Sequence, residues 1–433
     1  MTVTTLAILT FALMFLLLFL GVPVGFSLGI AGLFGIWLGW GIDVAFGYIQ
    51  LVPYRQVAHF TLGAIPLFIL MGRFAYHGGI AQSFYGLAFK WVGRLRGGLA
   101  MATMVAMAGF GAVCGSSVAS TAAFSPVALP EMDRYNYDKG LSLGSIAAAG
   151  TFALMIPPSV TFIVYGVLTG TSVGKCFMAG IIPGILSAGI YMLQIWVRCR
   201  LNPELAPLAP PTITWKKRFE AFRYIGPALV LVVIVLGGIY FGVMTPTEAA
   251  AAGSVGAGAL AFSQKGFGLR QVNDSAKEAV GTAAMVFMVI IGAFLFGYFL
   301  SIGTIPQTII GAITAAELSR WWVLLLIMLM LIILGVFMDQ LAILVLTLPL
   351  IFPVIVELGF DPVWYAVIHC KTVELGMITP PFGLNVYVIQ GVTNEPLDRV
   401  FRGVFPFVAC DLITLIILIC FPQLSLFLPS HMG

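Results

Sequence analysis

Apolar runs long enough to cross a lipid bilayer follow one another along nearly the whole chain, with polar residues confined to short gaps between them. A spanning helix needs about 20 such residues for a hydrocarbon core of roughly 30 Å. Runs at 4–20 and 22–40 open the chain, parted only around Gly21-Val22-Pro23. Gly25, Gly29, Gly32 and Gly39 give the second a stripe of small residues suited to close helix packing. A third run covers 59–76. The stretch from Gly79 to Leu95 is amphipathic, carries Lys90 and Arg94, and is expected along the membrane surface. Residues 97–132 are apolar for too long to be one span, are interrupted at Gly115-Ser116-Ser117, and have basic residues at both ends. They predict a re-entrant hairpin with that turn as its tip. A broken span at 140–170 and a span at 177–197 complete the set.

The same order then returns. A connection at 198–224 holds Arg198, Arg200, Lys216, Lys217, Arg218 and Arg223 together with Pro203, Pro207, Pro210 and Pro211. After it come spans at 225–243 and 246–263, a basic loop with Lys265, Arg270 and Lys277, a span at 280–299 and a surface stretch at 303–320. A second hairpin at 321–357 has its tip at Gly335 to Gln340. A second broken span at 363–393 and a last helix at 404–428 follow. Ile156-Pro157-Pro158-Ser159 and Thr379-Pro380-Pro381 interrupt the two broken spans 223 positions apart, and the same shift carries Pro23 onto Pro246, Pro126 onto Pro349, Pro130 onto Pro353, Gly180 onto Gly403 and Pro183 onto Pro406. The chain therefore divides into repeats at 1–197 and 225–433, joined by the linker 198–224. Lysine and arginine favour the cytoplasmic side, which places the linker there and both termini in the periplasm. The second hairpin ends at Glu357 and Asp361 without a nearby basic residue, so the repeats are expected to be inverted. The predicted fold class is an all-α polytopic membrane protein, an inverted repeat with two re-entrant hairpins and two broken helices.

Composition narrows the function. Of 433 residues 60% are hydrophobic and 9% charged, with a mean hydropathy of +1.06, values that leave no room for a soluble catalytic domain. The first 20 residues lack a basic start and a small-residue cleavage site, so they are expected to be a retained helix rather than a signal. Six scattered cysteines form no CxxC and support neither a disulfide framework nor a zinc site. A net charge of +4, carried by loops, reports orientation rather than a nucleic-acid partner.

The two interruptions carry the chemistry. A buried Pro-Pro removes amide donors and leaves carbonyls unpaired, and half-helix ends with free carbonyls at mid-membrane are what a coupling cation and an anionic solute use. Short oxygen carriers cluster near them: Ser116, Ser117 and Ser159 in the first half, Asp339, Thr379 and Asn385 in the second. Such hard oxygens suit sodium. Serines in apolar helices also satisfy their own backbone. Asp339 can be a cation ligand or the acceptor for its tip amides. Lys371 and Glu374, near His369, can form an internal ion pair or contact a proton or solute. Thr245-Pro246-Thr247-Glu248 has the form of a capping box. Gly25 to Gly29 fits GxSxG inside an apolar helix, and Gly170 to Cys176 falls short of a P-loop, so the chain shows no enzyme motif and no means of hydrolysing ATP.

Gly115-Ser116-Ser117, Ser125-Pro126-Val127-Ala128-Leu129-Pro130-Glu131-Met132, the first diproline, Thr245 to Ala249, and Glu374-Leu375-Gly376-Met377-Ile378-Thr379-Pro380-Pro381-Phe382-Gly383 together resemble the large membrane subunit of tripartite ATP-independent periplasmic (TRAP) transporters over essentially the full chain. The resemblance implies a bacterial inner-membrane permease of elevator-type architecture, coupled to Na+. It implies two partners, a periplasmic solute-binding protein and a small four-helix membrane subunit, and a small carboxylate or sialic acid as solute. Its two sodium regions map onto the tips and breaks. The first cation site is thus expected at Gly115, Ser116, Ser117, Pro157 and Ser159, and the second at Asp339, Thr379, Pro381 and Gly383. The solute is expected at Ser117, Pro158, Pro380 and Asn385. Phe152-Ala153-Leu154 departs from the small, glycine-containing run usual before the first diproline.

Hairpins and broken helices are expected to form a mobile block carrying solute and Na+, with the other spans as scaffold. The alternatives are a symporter of this architecture that needs no binding protein and, less well supported by so few polar residues in the spans, a passive channel.

Overall fold

The computed structural model describes residues 2–207, 215–264 and 266–432; Pro210, Pro211 and Lys265, which mark loops in the sequence, lie outside them. Every regular element among these residues is helical. The first half contains α1 (Val3–Phe19), α2 (Val24–Trp40), α3 (Ile42–Val57), α4 (Ala64–His77), α5 (Ile80–Val92), α6 (Gly98–Cys114), α7 (Ser117–Arg134), α8 (Lys139–Gly150), α9 (Phe152–Met155), α10 (Val160–Thr169) and α11 (Val173–Leu201). The second contains α12 (Trp215–Tyr240), α13 (Pro246–Phe262), α14 (Leu269–Ile302), α15 (Ile305–Ala315), α16 (Arg320–Phe337), α17 (Gln340–Glu357), α18 (Pro362–Ile378), α19 (Leu384–Thr393), α20 (Leu397–Cys420) and α21 (Gln423–Ser430). Among the described residues seven helical stretches are long and apolar enough to cross a membrane.

Shifting the first half by 223 residues lays α6 on α16, α7 on α17 and α10 on α19 to within about one residue at each end. The single long α14 stands where the first half has α3 and α4. Packing exchanges in the same way: α2 packs on α14 while α13 packs on α4, and α10 packs on α17 while α19 packs on α7. A two-fold relation between halves requires such crossed pairs.

Several elements differ from the expected spans: α12 begins at Trp215, inside the expected linker 198–224, and α20 at Leu397, because each helix starts with polar turns ahead of its apolar run. α3 is absent from the sequence reading because Asp43, Pro53 and Arg55 break its apolar pattern. The expected last helix is two helices, since the chain turns at Phe421-Pro422 before α21. α14 begins well before 280, its first turns carrying Asp274, Lys277 and Glu278 beyond the apolar run.

α8 and α18 form the centre of the bundle. All residues from Leu141 to Gly150 and from Trp364 to Ile378 are buried, as expected of helices surrounded on every side. Each starts on an aspartate cap: Asp138 Oδ1 accepts from Leu141 N, and Asp361 Oδ1 from Val363 N and Trp364 N. α20 lies directly against α8. A Cβ on Gly403 would overlap the carbonyl of Gly140, and one on Gly144 would overlap Gly403. Gly403→Val is therefore expected to destabilise the protein by about 1–3 kcal/mol, read as a lower unfolding midpoint in detergent; an unchanged midpoint would show that the two helices can part without cost.

The polar motifs without a site role are accounted for locally. Thr245 and Glu248 close a reciprocal capping box at α13. Ser27 of the GxSxG match donates to Val22 O, just ahead of its helix, and Ser172 caps α11.

Candidate functional site

Four short interruptions each end one helix and start the next: one at each expected hairpin tip, between α6 and α7 and between α16 and α17, and one at each diproline, between α9 and α10 and between α18 and α19. Gly115 closes α6 with φ of +64°, a conformation that favours glycine, and a Cβ there would sit 2.8 Å from the Pro158 carbonyl oxygen. The first tip thus touches the first break. Ser116 caps α7, its Oγ accepting from Ala119 N at 3.4 Å. Asp339 caps α17, Oδ1 accepting from Leu341 N at 2.8 Å and Ala342 N at 3.4 Å. Of the two readings of Asp339, tip acceptor is the one the geometry displays.

Both diprolines are cis at Pro157-Pro158 and Pro380-Pro381. The first break is buried, whereas Pro380 and Pro381 are exposed. Thr379 turns its hydroxyl back to Leu375 O at 2.6 Å. Gly383, with φ of +53°, lies against the carbonyls of Met377 and Thr379. Asn385 is fully buried and links the halves: Ser117 Oγ lies 2.9 Å from its Oδ1 and 2.7 Å from its Nδ2, which also donates to Ala147 O at 3.1 Å.

A cavity of about 340 Å³ opens where these features meet. Gly115, Ser116, Ser117 and Asp339 line it, whereas Pro157, Pro158, Ser159, Thr379, Pro380, Pro381, Gly383 and Asn385 do not. The first residues of four helices reach it: Ser117 of α7, Val160 of α10, Gln340 of α17 and Leu384 of α19. Helix N-termini carry partial positive charge and free amides, which favour an anion. Ser116 and Asp339 cap two of these starts, whereas the starts of α10 and α19 have no side-chain cap. Cys114, Leu154 and Met377, from the ends of the preceding helices, also line the cavity. Carbonyls at such ends favour a cation.

Hydroxyl oxygens without a partner lie on the helices around the cavity, although not in its lining. The hydroxyls of Ser120, Thr121 and Ser159 are buried without a hydrogen-bond partner, and the Pro158 carbonyl lies beside Gly115. Among the described residues no group of three His, Cys, Asp or Glu converges. Ser120 and Thr121 were not singled out from the sequence, although hydroxyls three and four residues beyond Ser117 fall within the first turn or two of α7.

A second polar cluster lies outside the cavity. Lys371 Nζ is 2.5 Å from Asp411 Oδ1 and 3.2 Å from Glu374 Oε2, and all three side chains are fully buried. Tyr191 on α11 donates to Asp411 Oδ1 at 2.6 Å. Cys370 Sγ accepts from Gln340 Nε2 at 3.0 Å and donates to Leu154 O at 3.5 Å. The internal ion pair expected for Lys371 and Glu374 is present, and Asp411 is its unforeseen third member. A lone aspartate in the apolar run 404–428 was the available signal.

The profile of the family described as "Tripartite ATP-independent periplasmic transporter, DctM component" matches residues 11–424. This chain belongs to the DctM family of TRAP transporters. It is similar to the C4-dicarboxylate TRAP transporter large permease protein DctM of Pseudomonas aeruginosa, 38% identical over 94% of both chains. It is also similar to the sialic acid TRAP transporter large permease protein SiaM of Vibrio cholerae, 32% identical over 96% of both. Among solved structures the Alcanivorax borkumensis YdaH transporter superposes with a TM-score of 0.60 at 14% identity, covering 89% of this chain and 88% of that one, a likeness of fold. The DctM chain is accordingly a multi-pass membrane protein of a permease family.

Proposed function

We propose that this DctM protein moves a small organic anion, of the C4-dicarboxylate or sialic-acid class, across the bacterial inner membrane together with Na+. A periplasmic binding protein delivers the solute and a small membrane subunit braces the permease. The observation that carries the reading is the cavity at which four helix starts and the ends preceding them converge: the starts favour the anion, the ends and orphaned hydroxyls favour the cation. Sodium bound between the first tip and the first break orders Gly115 to Ser117, and Ser117 is tied through Asn385 to the second break. Cation and solute sites are thereby coupled.

The block that carries both is an elevator made of the hairpins, the broken helices and also α11 and α20. The sequence reading left those two with the scaffold. The Lys371, Glu374 and Asp411 cluster joins α18 to α20 and, through Tyr191, to α11, and separating such a buried set in every cycle would leave charges unpaired at a cost of several kcal/mol. Orientation follows the basic residues. Lys139, Arg198, Arg399 and Arg402 border one hollow at one end of the molecule, which is the cytoplasmic end in this reading.

Liposomes holding the permease and its small subunit, supplied with acid-loaded binding protein, are expected to accumulate the acid only under an inward sodium gradient. Equal accumulation with potassium replacing sodium throughout would overturn the coupling.

A further inference from the structure

The cavity is lined by one cationic side chain among the described residues, Arg73 on α4, and its guanidinium is occupied. Arg73 Nη1 lies 2.9 Å from Glu278 Oε2, and His77 Nε2 lies 3.4 Å from Glu278 Oε1. Arg73 is 29% exposed and Glu278 41%, so the pair stays reachable from the cavity and from water. Glu278 is not part of the lining; Thr282, one helical turn further along α14, is. The glutamate therefore holds Arg73 from the rim.

Placement at the solute's level comes from Gly72. α4 comes so close to the first hairpin that a Cβ at Gly72 would sit 2.8 Å from the Cys114 carbonyl oxygen, one residue before the tip. Arg73, the next residue, is thereby set beside the tip from a helix that belongs to neither a hairpin nor a broken helix. The cavity's other charged lining residue, Asp339, is engaged by the amides of Leu341 and Ala342.

We infer that Arg73 receives the acid group of the solute and that Glu278 is a built-in substitute for it, holding the guanidinium until the solute's carboxylate displaces it. This rests on the organic-anion reading above and adds the residue that grips the acid. A guanidinium binds a carboxylate through paired charge-assisted hydrogen bonds, and an exposed ion pair contributes little on its own, so exchange of one carboxylate for another is inexpensive. The competition also discriminates: a neutral solute cannot replace Glu278.

The test is direct binding of radiolabelled succinate and of N-acetylneuraminate, in sodium, to the purified permease with its small subunit. Arg73→Gln is expected to weaken binding of whichever acid the unaltered protein takes by on the order of 30-fold, the size of a lost charge-assisted hydrogen-bond pair. Arg73→Lys is expected to fall between the two and stands in should Arg73→Gln not fold. Glu278→Gln is expected to tighten binding about threefold by removing the competitor. A purely structural ion pair would instead make both substitutions weaken binding alike, and that result, or unchanged binding in both Arg73 variants, would overturn the inference alone. Binding of neither acid by the unaltered protein would overturn the organic-anion reading and this inference with it.

Discussion

Replacing Lys371 with methionine is expected to cost about 3–5 kcal/mol of stability, because it leaves Glu374 and Asp411 buried with no counter-charge. Each carboxylate is within 3.2 Å of the ammonium, and no water-exposed surface remains on any of the three groups. In a chain of a few hundred residues this corresponds to a fall in unfolding midpoint on the order of 10 °C. Asp411→Asn should cost less, since Lys371 keeps Glu374 and Tyr191 keeps an oxygen to bond. The triple variant with Lys371→Met, Glu374→Gln and Asp411→Asn should regain most of the loss, because its members are uncharged. Unfolding in detergent followed by intrinsic fluorescence decides it. A Lys371→Met midpoint near that of the unaltered protein would mean that the cluster bears no net ionic interaction.

Thr121→Val and Ser159→Ala are expected to act in the opposite way, on function and not on stability. Both hydroxyls are fully buried and have no hydrogen-bond partner, so their removal breaks no bond and relieves the cost of a desolvated polar group. Without sodium the variants should be as stable as the unaltered protein or more so, by about 1 kcal/mol. If the hydroxyls are sodium ligands, the half-saturating sodium concentration for uptake should rise about tenfold, equivalent to about 1.4 kcal/mol of binding free energy. Unchanged sodium dependence in both variants would remove them from the cation site.

Much of this architecture was legible because its signals are local. Prolines, glycines and runs of apolar residues mark where helices start and stop, and their recurrence 223 positions later located the helix breaks between α6 and α7, between α16 and α17 and at the two diprolines. What escaped depends on direction and partnership. Arg73 stands near the end of an apolar run and reads there as a flanking charge; only the packing of α4 against the first tip turns it to the cavity. Asp411 sits forty positions from Lys371 in sequence and meets it only because α20 lies against α18. Asn385 was legible as a polar residue beside the second break, but its place as a cross-link to Ser117 follows from α19 packing on α7, an arrangement between halves that no local pattern records.

The four helix starts around the cavity bear on how such a permease changes its cargo over evolutionary time. In the organic-anion reading, the share of the attraction for negative charge that these starts supply resides in the main chain, where replacing a side chain leaves it in place. In that reading, changes at wall positions such as Thr161, Met285 and Leu384 would reshape the chamber for a longer or bulkier acid while the main-chain contribution stays in place. Relatives 38% and 32% identical to this chain are named for acids as unlike as a C4-dicarboxylate and a sialic acid, a divergence that such a division of labour would permit.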